Sequence, residues 1–169
     1  MISMPFDLAQ DDNNPLDMIE DFLASKGWHF DRISDEHLYC NVPGRNDVEF
    51  LVQLHWQNEF SALEFRCAIE LNIQEQYNAV AADLLMKINE NMWLGHFDIL
   101  ANIQQPMFRH TLMLQSIPCG IATEMVESLI NVSVNECDRF YPTFQLLSEG
   151  DVRTQESLEA AMLKTVGEA

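Results

Sequence analysis

Basic residues are scarce in this sequence, with 9 lysines and arginines against 27 aspartates and glutamates among 169 residues, for a formal net charge of -18. They are scattered from Lys26 to Lys164 and form no cluster that would displace counterions from phosphates. The same charge repels an anionic membrane surface. We therefore predict no nucleic-acid partner and no membrane partner. Solubility best explains the acidity, with attraction of basic partners or of cations as alternatives.

Long apolar runs and paired cysteines are missing too. No run of 18 or more apolar residues occurs, and residues 1–10 lack the basic start and long apolar stretch of a signal peptide. The four cysteines, Cys40, Cys67, Cys119 and Cys137, include no C-x-x-C and no zinc-like spacing. Cys40 and Cys67 lie in apolar strand-like runs, where a free cysteine acts as a small hydrophobic residue. These features predict a reduced, cytoplasmic protein.

Familiar catalytic motifs are also absent. The sequence has no G-x-G-x-x-G, no G-x-x-x-x-G-K-S/T, no H-E-x-x-H and no G-x-S-x-G, and only six glycines are available for a phosphate-binding loop. Cys119, in "SIPCG", is the one loop cysteine and the best candidate for reactivity, yet nothing local activates it. The acidic stretch "DDNN" at 11–14 offers weak cation binding at most. We predict no enzyme, no catalytic residue, no cofactor and no metal.

The apolar period changes several times along the chain. It is helical in "NPLDMIEDFLASKG", where Asn14 can cap, Pro15 fits the first helical position and Gly27 can close the helix. It then alternates, most clearly in "VEFLVQLHW" and "SALEFRCAIEL", and the short links between these stretches favour hairpins. Over residues 74–94 the period is helical again, until Gly95 stops it.

Two further strands, "HFDILANI" and "MFRHTLMLQ", are joined across "QQP". A long helical stretch begins near Thr123, and Pro142 must kink or interrupt it. A short terminal helix with Thr154 as its cap follows. The order α-β-β-β-β-α-β-β-α-α predicts a single α+β domain over residues 14–169, with helices packed on an antiparallel sheet. Residues 1–13 are predicted to be a flexible N-terminal arm.

The second predicted hairpin carries His96, Asp98, Arg109 and His110. Two histidines on neighbouring strands can share a metal ion, and an aspartate can join them. If the hairpin turns at residues 104–105, however, His96 lies well past His110 along the ladder. A structural role is therefore favoured, and the four residues are kept as a minority candidate for a site.

The stretch "NENMWLGHFDI" at 89–99 is interpreted as a helix-to-strand joint. Met92 ends the apolar stripe of the helix, the ring of Trp93 covers the end of the sheet, and Gly95 supplies the positive φ of the reversal. Nine methionines exceed what a core of this size needs, and methionine-rich surfaces adapt to varied partners, although core filling is favoured. The candidate partner-binding residues are Trp93, His96, Asp98, Met107, Arg109, His110 and Met113.

Three segments carry a family signature, namely "INENMWLGHFDI" (88–99), "PMFRHTLML" (106–114) and "CDRFYPTFQLL" (137–147). In this order and with these gaps they resemble the YbjN family, in the branch common among alphaproteobacteria. The similarity runs from about Leu16 to Ala169. Thr143 stands where a small, alanine-like residue is expected.

The resemblance implies an α+β fold similar to that of type III secretion chaperones, a cytoplasmic location, and a role often described as sensory transduction regulation. No catalytic residues are established for the family, so none is carried over. Secretion-chaperone-like proteins are similar in being small, acidic and often dimeric, with a partner chain wrapped over apolar patches. That mode of binding would account for the acidic net charge and for the methionines that the core does not need.

We therefore predict a non-enzymatic protein-binding or regulatory module that engages another protein through a basic or apolar segment. A structural homodimer is a further arrangement, since two-fold self-association is common. The alternative is an uncharacterised enzyme or ligand-binding protein with a site near the second hairpin, at His96, Asp98, Arg109 and His110. Side chains pointing into one concave, polar-lined pocket would favour that alternative, and side chains on different faces would count against it.

Overall fold

The computed structural model describes residues 14–45 and 47–150. The arm predicted over residues 1–13, which includes most of "DDNN", and the terminal helix predicted from Thr154 lie outside the described residues. Within them, three helices and six strands follow the predicted order. The elements are α1 (Pro15–Lys26), β1 (Phe30–Arg32), β2 (His37–Pro43), β3 (Glu49–Gln57), β4 (Ala62–Ala68), α2 (Asn78–Glu90), β5 (His96–Leu100), β6 (Gln105–Met113) and α3 (Cys119–Glu149).

Helix α1 has the ends that its sequence predicts. The side chain of Asn14 accepts a hydrogen bond from the backbone N–H of Leu16 at 3.0 Å, which satisfies one of the free donors of the first turn. Gly27 ends the helix in the left-handed conformation, with φ 70°. Three apolar residues of its inner stripe are fully buried, namely Leu16, Ile19 and Leu23.

The six strands form one antiparallel sheet in the order β1-β2-β3-β4-β6-β5. The first four strands are neighbours in both sequence and space, as the short links predict. The second hairpin, formed by β5 and β6, joins the sheet through β6, which pairs with β4. β5 is therefore an outer strand of the sheet. The predicted α+β class, with helices packed on an antiparallel sheet, is confirmed.

The two faces of the sheet have different surroundings. Alternate residues of β3 are buried, namely Phe50, Val52, Leu54 and Trp56. Helix α3 packs on this face, where the ring of Phe97 lies 5.6 Å from that of Phe140 and 5.4 Å from that of Phe144, between centroids. The opposite face, which carries Gln53 and Glu64, is partly exposed, and we call it the open face. None of the described helices is long and apolar enough to span a membrane.

Helix α2 is shorter than predicted. A 3-10 turn occupies Glu75–Tyr77, and the α-helix ends at Glu90 rather than at residue 94. Its buried stripe consists of Ala81, Leu84 and Ile88, while Val80 is exposed.

Helix α3 also differs from the prediction. It begins at Cys119, four residues before Thr123, and it continues through Pro142 to Glu149 without interruption. The proline removes one backbone hydrogen bond of the helix. Residues on both sides of Pro142, including Phe140 and Phe144, are buried in the core, and this packing holds the helix across the missing bond.

Candidate functional site

Three strands bring polar side chains together on the open face. The register aligns Arg66 of β4, Arg109 of β6 and His96 of β5 in one row, and it pairs Glu64 with Thr111 beside that row. A pocket of about 120 Å³ lies here. Its lining residues are Glu64, Phe65, Arg66, His96, Arg109, His110 and Thr111.

A carboxylate holds each arginine of this row. Arg109 donates to Asp98 at 2.8 Å, and Arg66 donates to Glu64 at 3.1 Å. The four side chains are between about a quarter and a third exposed, so solvent screens both pairs and each is worth about 0–1 kcal/mol. The carboxylates therefore position the arginines and offset much of their charge.

His110 lies on the other face of β6. It pairs with Phe65, which is buried on the side of α3. Burial lowers the pKa of His110, and the nearby His96 lowers it further. Of the four residues predicted as a site, His96, Asp98 and Arg109 share the open face and His110 does not.

The register of the second hairpin corrects the prediction. His96 pairs with Arg109, so it lies beside His110 along the ladder rather than well past it. The chain reverses over residues 101–104, and Gln104 adopts a left-handed φ of 51°. Pro106, interpreted from the sequence as a turn residue, lies within β6 instead. A proline is tolerated there because it precedes Met107, the first residue of β6 in the ladder with β4, so its missing N–H removes no bond of that ladder.

The outward backbone groups of β5 are occupied by side chains. Asn89 of α2 donates from Nδ2 to the carbonyl of Phe97 at 3.0 Å and accepts from its N–H at 2.7 Å. The N–H of Ile99 donates to the carboxylate of Asp98 at 2.8 Å. An incoming strand would have to displace these contacts, so this edge of the sheet is protected against strand addition.

The joint before β5 is only partly as predicted. Gly95 has the expected positive φ, 66°, and a Cβ there would meet the ring of Phe108 and lie 2.9 Å from the carbonyl of Arg109. Trp93, however, is 75% exposed, so the prediction that its ring covers the end of the sheet is wrong. Because α2 ends at Glu90, the tryptophan lies outside the last helical turn that would have turned it inward.

The two methionines proposed for partner binding differ in exposure. Met107 is 1% exposed and lies opposite Ala68, itself buried, so its side chain offers almost no surface to a partner. Met113 is 62% exposed. Phe60, which the sequence did not single out, is 60% exposed and lies close to the same point, because β4 begins at Ala62 directly opposite Met113.

Three of the four cysteines are buried, as expected for Cys40 and Cys67. The sulfurs of Cys67 and Cys137 lie 3.7 Å apart, a proximity that the sequence spacing does not reveal. Burial raises the pKa of Cys137 well above its ordinary value, and burial followed by the effect of Cys67 raises the pKa of Cys40 to about 12. Cys119 is the first residue of α3 and not a loop cysteine as predicted.

A second cluster on the sheet was missed at the level of sequence. Glu36, His37 and His55 each bring one ligand atom within 4.8 Å of the others. Neither His37 nor His55 was a candidate for a site in the sequence. The available signal was the register, because pairing "HLYCNV" with "VEFLVQLHW" across "PGRND" sets the two histidines opposite each other.

The sequence profile of the YbjN family, described as "Putative bacterial sensory transduction regulator", matches residues 15–146. No curated protein matches the chain. Among solved structures, the chain is similar to one described as "Crystal structure of YbjN, a putative transcription regulator from E. coli". The TM-score is 0.46 and the sequence identity 15%, over 73% of this chain and 90% of that chain. Because the family profile spans most of its length, the chain belongs to the YbjN family.

Proposed function

We propose that the protein is a non-enzymatic regulatory module that binds another protein at one end of its sheet. The observation that carries this proposal is the exposure of Phe60, Trp93 and Met113, each at least 60% exposed. Ala62 pairs with Met113, so the start of β4, which follows Phe60, coincides with the end of β6. β5, which follows Trp93, begins opposite Arg109 in the middle of β6 and runs away from this end. We call these three residues the apolar rim.

Exposed apolar side chains are common singly, but large ones gathered at one place indicate an interaction surface. Tryptophan, phenylalanine and methionine are enriched where proteins meet, and aromatic anchors supply much of the binding energy. The net charge of -18 attracts a basic chain and speeds its association. The proposed partner segment therefore carries apolar anchors within a basic sequence.

The protected edge of β5 favours one mode of docking over another. Asn89 and Asp98 occupy the backbone groups that an added strand would need. A partner is therefore expected to contact side chains of the rim and the open face. This resembles the wrapping mode that the likeness to secretion chaperones implies, and the proposal includes a cytoplasmic location.

Affinity capture from a native lysate tests the proposal. The bait proteins are the wild type, a Trp93→Ser/Met113→Ser double variant, and an Ile33→Ser control. Ile33 is also 60% exposed but follows β1 at the opposite edge of the sheet. We expect mass spectrometry to recover the same partner with the wild type and the control and to lose it with the double variant. Identical recovery by all three baits, or no partner in any repeat, would contradict the proposal.

Light scattering on the same three proteins separates a client from self-association. If the rim binds a second copy of the chain, the wild type and the Ile33→Ser control form a dimer that the double variant lacks. If instead the wild type is a monomer and only the double variant fails to capture the partner, the rim binds a different protein.

The pocket on the open face favours a second candidate, a small-ligand function. Arg66, Arg109 and His96 line it, so a small anionic group is the ligand that its chemistry fits. Its volume of about 120 Å³ is below the roughly 300–1,000 Å³ of most ligand sites, which makes it the weaker candidate. Thermal unfolding with and without small carboxylic acids tests it. A stabilisation that disappears in Arg109→Gln but persists in an exposed-site control, Arg45→Gln, would support ligand binding.

A further inference from the structure

We propose that Glu36, His37 and His55 form a binding site for a divalent transition-metal ion of the zinc class. The site lies on the sheet at β2 and β3. It does not depend on the function proposed above.

The backbone brings the two histidines into the closest kind of cross-strand pair. His37 lies directly opposite His55. The N–H of Trp56 donates to the carbonyl of Glu36 at 2.7 Å, so the hydrogen-bonded position is the adjacent one. His37 and His55 therefore form a non-hydrogen-bonded pair, in which side chains approach most closely. Their rings stack with centroids 4.3 Å apart and an interplanar angle of 12°.

The third ligand comes from the residue before His37. One ligand atom from each of Glu36, His37 and His55 lies within 4.8 Å of the other two. Zinc bonds of about 2.0–2.1 Å in tetrahedral geometry place ligand atoms roughly 3.4 Å apart. Movements of about 1 Å, with a rotation of the stacked rings that aims both in-plane nitrogen lone pairs at one ion, therefore close the site. All three side chains are at least partly exposed and can make this adjustment.

Two neighbours orient the imidazole rings. The hydroxyl of Ser34 lies 3.2 Å from Nδ1 of His37, and a carboxylate oxygen of Glu64 lies 3.6 Å from Nδ1 of His55. Both groups lie on the Nδ1 side of their rings, which favours Nε2 of each ring as the ligand atom. Metal-binding histidines characteristically have such an outer partner on the other ring nitrogen, and a carboxylate is one of the usual choices.

The donor set determines the class of ion. Two imidazoles and one carboxylate suit zinc and its neighbours, whereas calcium and magnesium require oxygen ligands. Three protein ligands leave a fourth position for water or for another ligand. Among the described residues, no other three His, Cys, Asp or Glu side chains converge in this way. The net charge of -18 raises the local concentration of cations.

Calorimetric titration of the metal-free full-length protein with zinc chloride tests the inference. The buffer contains an excess of magnesium chloride, so that exposed carboxylates, which bind any divalent cation, are already occupied when zinc is added. We expect the wild type to bind one zinc ion per chain. We expect the zinc affinity of His37→Gln and of His55→Gln to be lower by a factor of about ten or more. The matched control is His29→Gln, since His29 is an exposed histidine whose Nε2 lies 3.8 Å from Asp31 and which belongs to no such group. Its zinc affinity is expected to equal that of the wild type.

Circular dichroism of the metal-free variants shows whether each still folds. If either histidine variant unfolds, Glu36→Gln replaces it, because an exposed side chain is removed without disturbing the stacked rings. Anomalous scattering at the zinc edge then locates the bound ion, and a peak within bonding distance of His37, His55 and Glu36 supports the site. Unchanged zinc affinity in all the ligand variants, a peak elsewhere, or no binding by the wild type below about 1 mM zinc overturns the inference.

Discussion

The side-chain amide of Asn89 fills both outward backbone positions of Phe97, donating to its carbonyl at 3.0 Å and accepting from its N–H at 2.7 Å. One residue near the end of α2 thereby fixes the outer strand of the sheet to the helix that precedes it. Phe97 in turn packs its ring against Phe108, Phe140 and Phe144. The amide contact and the aromatic cluster hold the same residue from two sides.

Replacing Asn89 with alanine should lower the free energy of unfolding by about 1–3 kcal/mol, since it leaves two backbone groups without their partner. The control is Asn91→Ala, whose side chain donates at an exposed position to the carbonyl of Lys87. We expect this control to lose less than about 0.5 kcal/mol. Urea denaturation measures both values, and equal losses would refute the special role of Asn89. Hydrogen exchange at the amide of Phe97 should also accelerate in Asn89→Ala alone.

Gly95→Ala should destabilise the fold by about 3 kcal/mol. The left-handed backbone disfavours a Cβ, and the new methyl group would press on the ring of Phe108 and on the carbonyl of Arg109. Gly120→Ala provides the comparison, because a Cβ in this first turn of α3 meets nothing within 4 Å. Thermal unfolding should place Gly120→Ala at or above the wild type. A Gly95→Ala variant as stable as Gly120→Ala would contradict the described geometry.

Thr143→Val should leave the stability unchanged or raise it by up to about 1 kcal/mol. Thr143 is fully buried in α3, and its hydroxyl finds no hydrogen-bond partner within the described part of the chain. An isosteric apolar side chain removes that unpaired polar group. Ser133→Ala is the contrast, because the equally buried hydroxyl of Ser133 donates to the carbonyl of Ile130 at 3.0 Å. Chemical denaturation should show a smaller benefit, or a loss, for the serine variant.

The cysteines should differ in reactivity toward a thiol reagent at pH 8. Cys119 is partly exposed, whereas Cys40, Cys67 and Cys137 are buried. Burial also keeps Cys40 and Cys137 protonated by raising each pKa, and the protonated thiol is unreactive. We expect one thiol per chain to react quickly and three to react at the rate of unfolding. A Cys119→Ser variant should lose the fast phase, and fast labelling of further thiols would contradict the burial.

The raised pKa of Cys40, about 12 against an ordinary 9.0, also predicts a dependence of stability on pH. The folded state favours the protonated thiol, so its contribution is complete below pH 9 and is lost as the pH rises from 9 towards 12. Cys40→Ala should be less stable near neutral pH because it leaves a cavity. Its stability should nevertheless fall less steeply above pH 9 than that of the wild type. Parallel slopes in urea unfolding across this range would disprove the link to Cys40.

The sequence predicted those features that neighbouring residues decide. Asn14 and Gly27 set the ends of α1, and alternation along β3 identified its buried face. It failed where distant residues decide. The exposure of Trp93 follows from the end of α2 at Glu90, and the pair of His37 and His55 follows from the register of two strands. Periodicity reports which face a residue occupies, but it does not report which residue stands opposite.

The order of strands has a consequence for the growing chain. β4 lies inside the finished sheet, yet its second neighbour, β6, follows only after residues 69–104 have been made. During synthesis, β4 is therefore an unpaired edge until β6 is made, whereas β2 and β3 gain their second neighbours from the next strand along the chain. Unpaired edges promote aggregation. Glu64 and Arg66 interrupt its apolar residues with opposite charges. These two charges protect the nascent chain before they line the pocket of the finished protein.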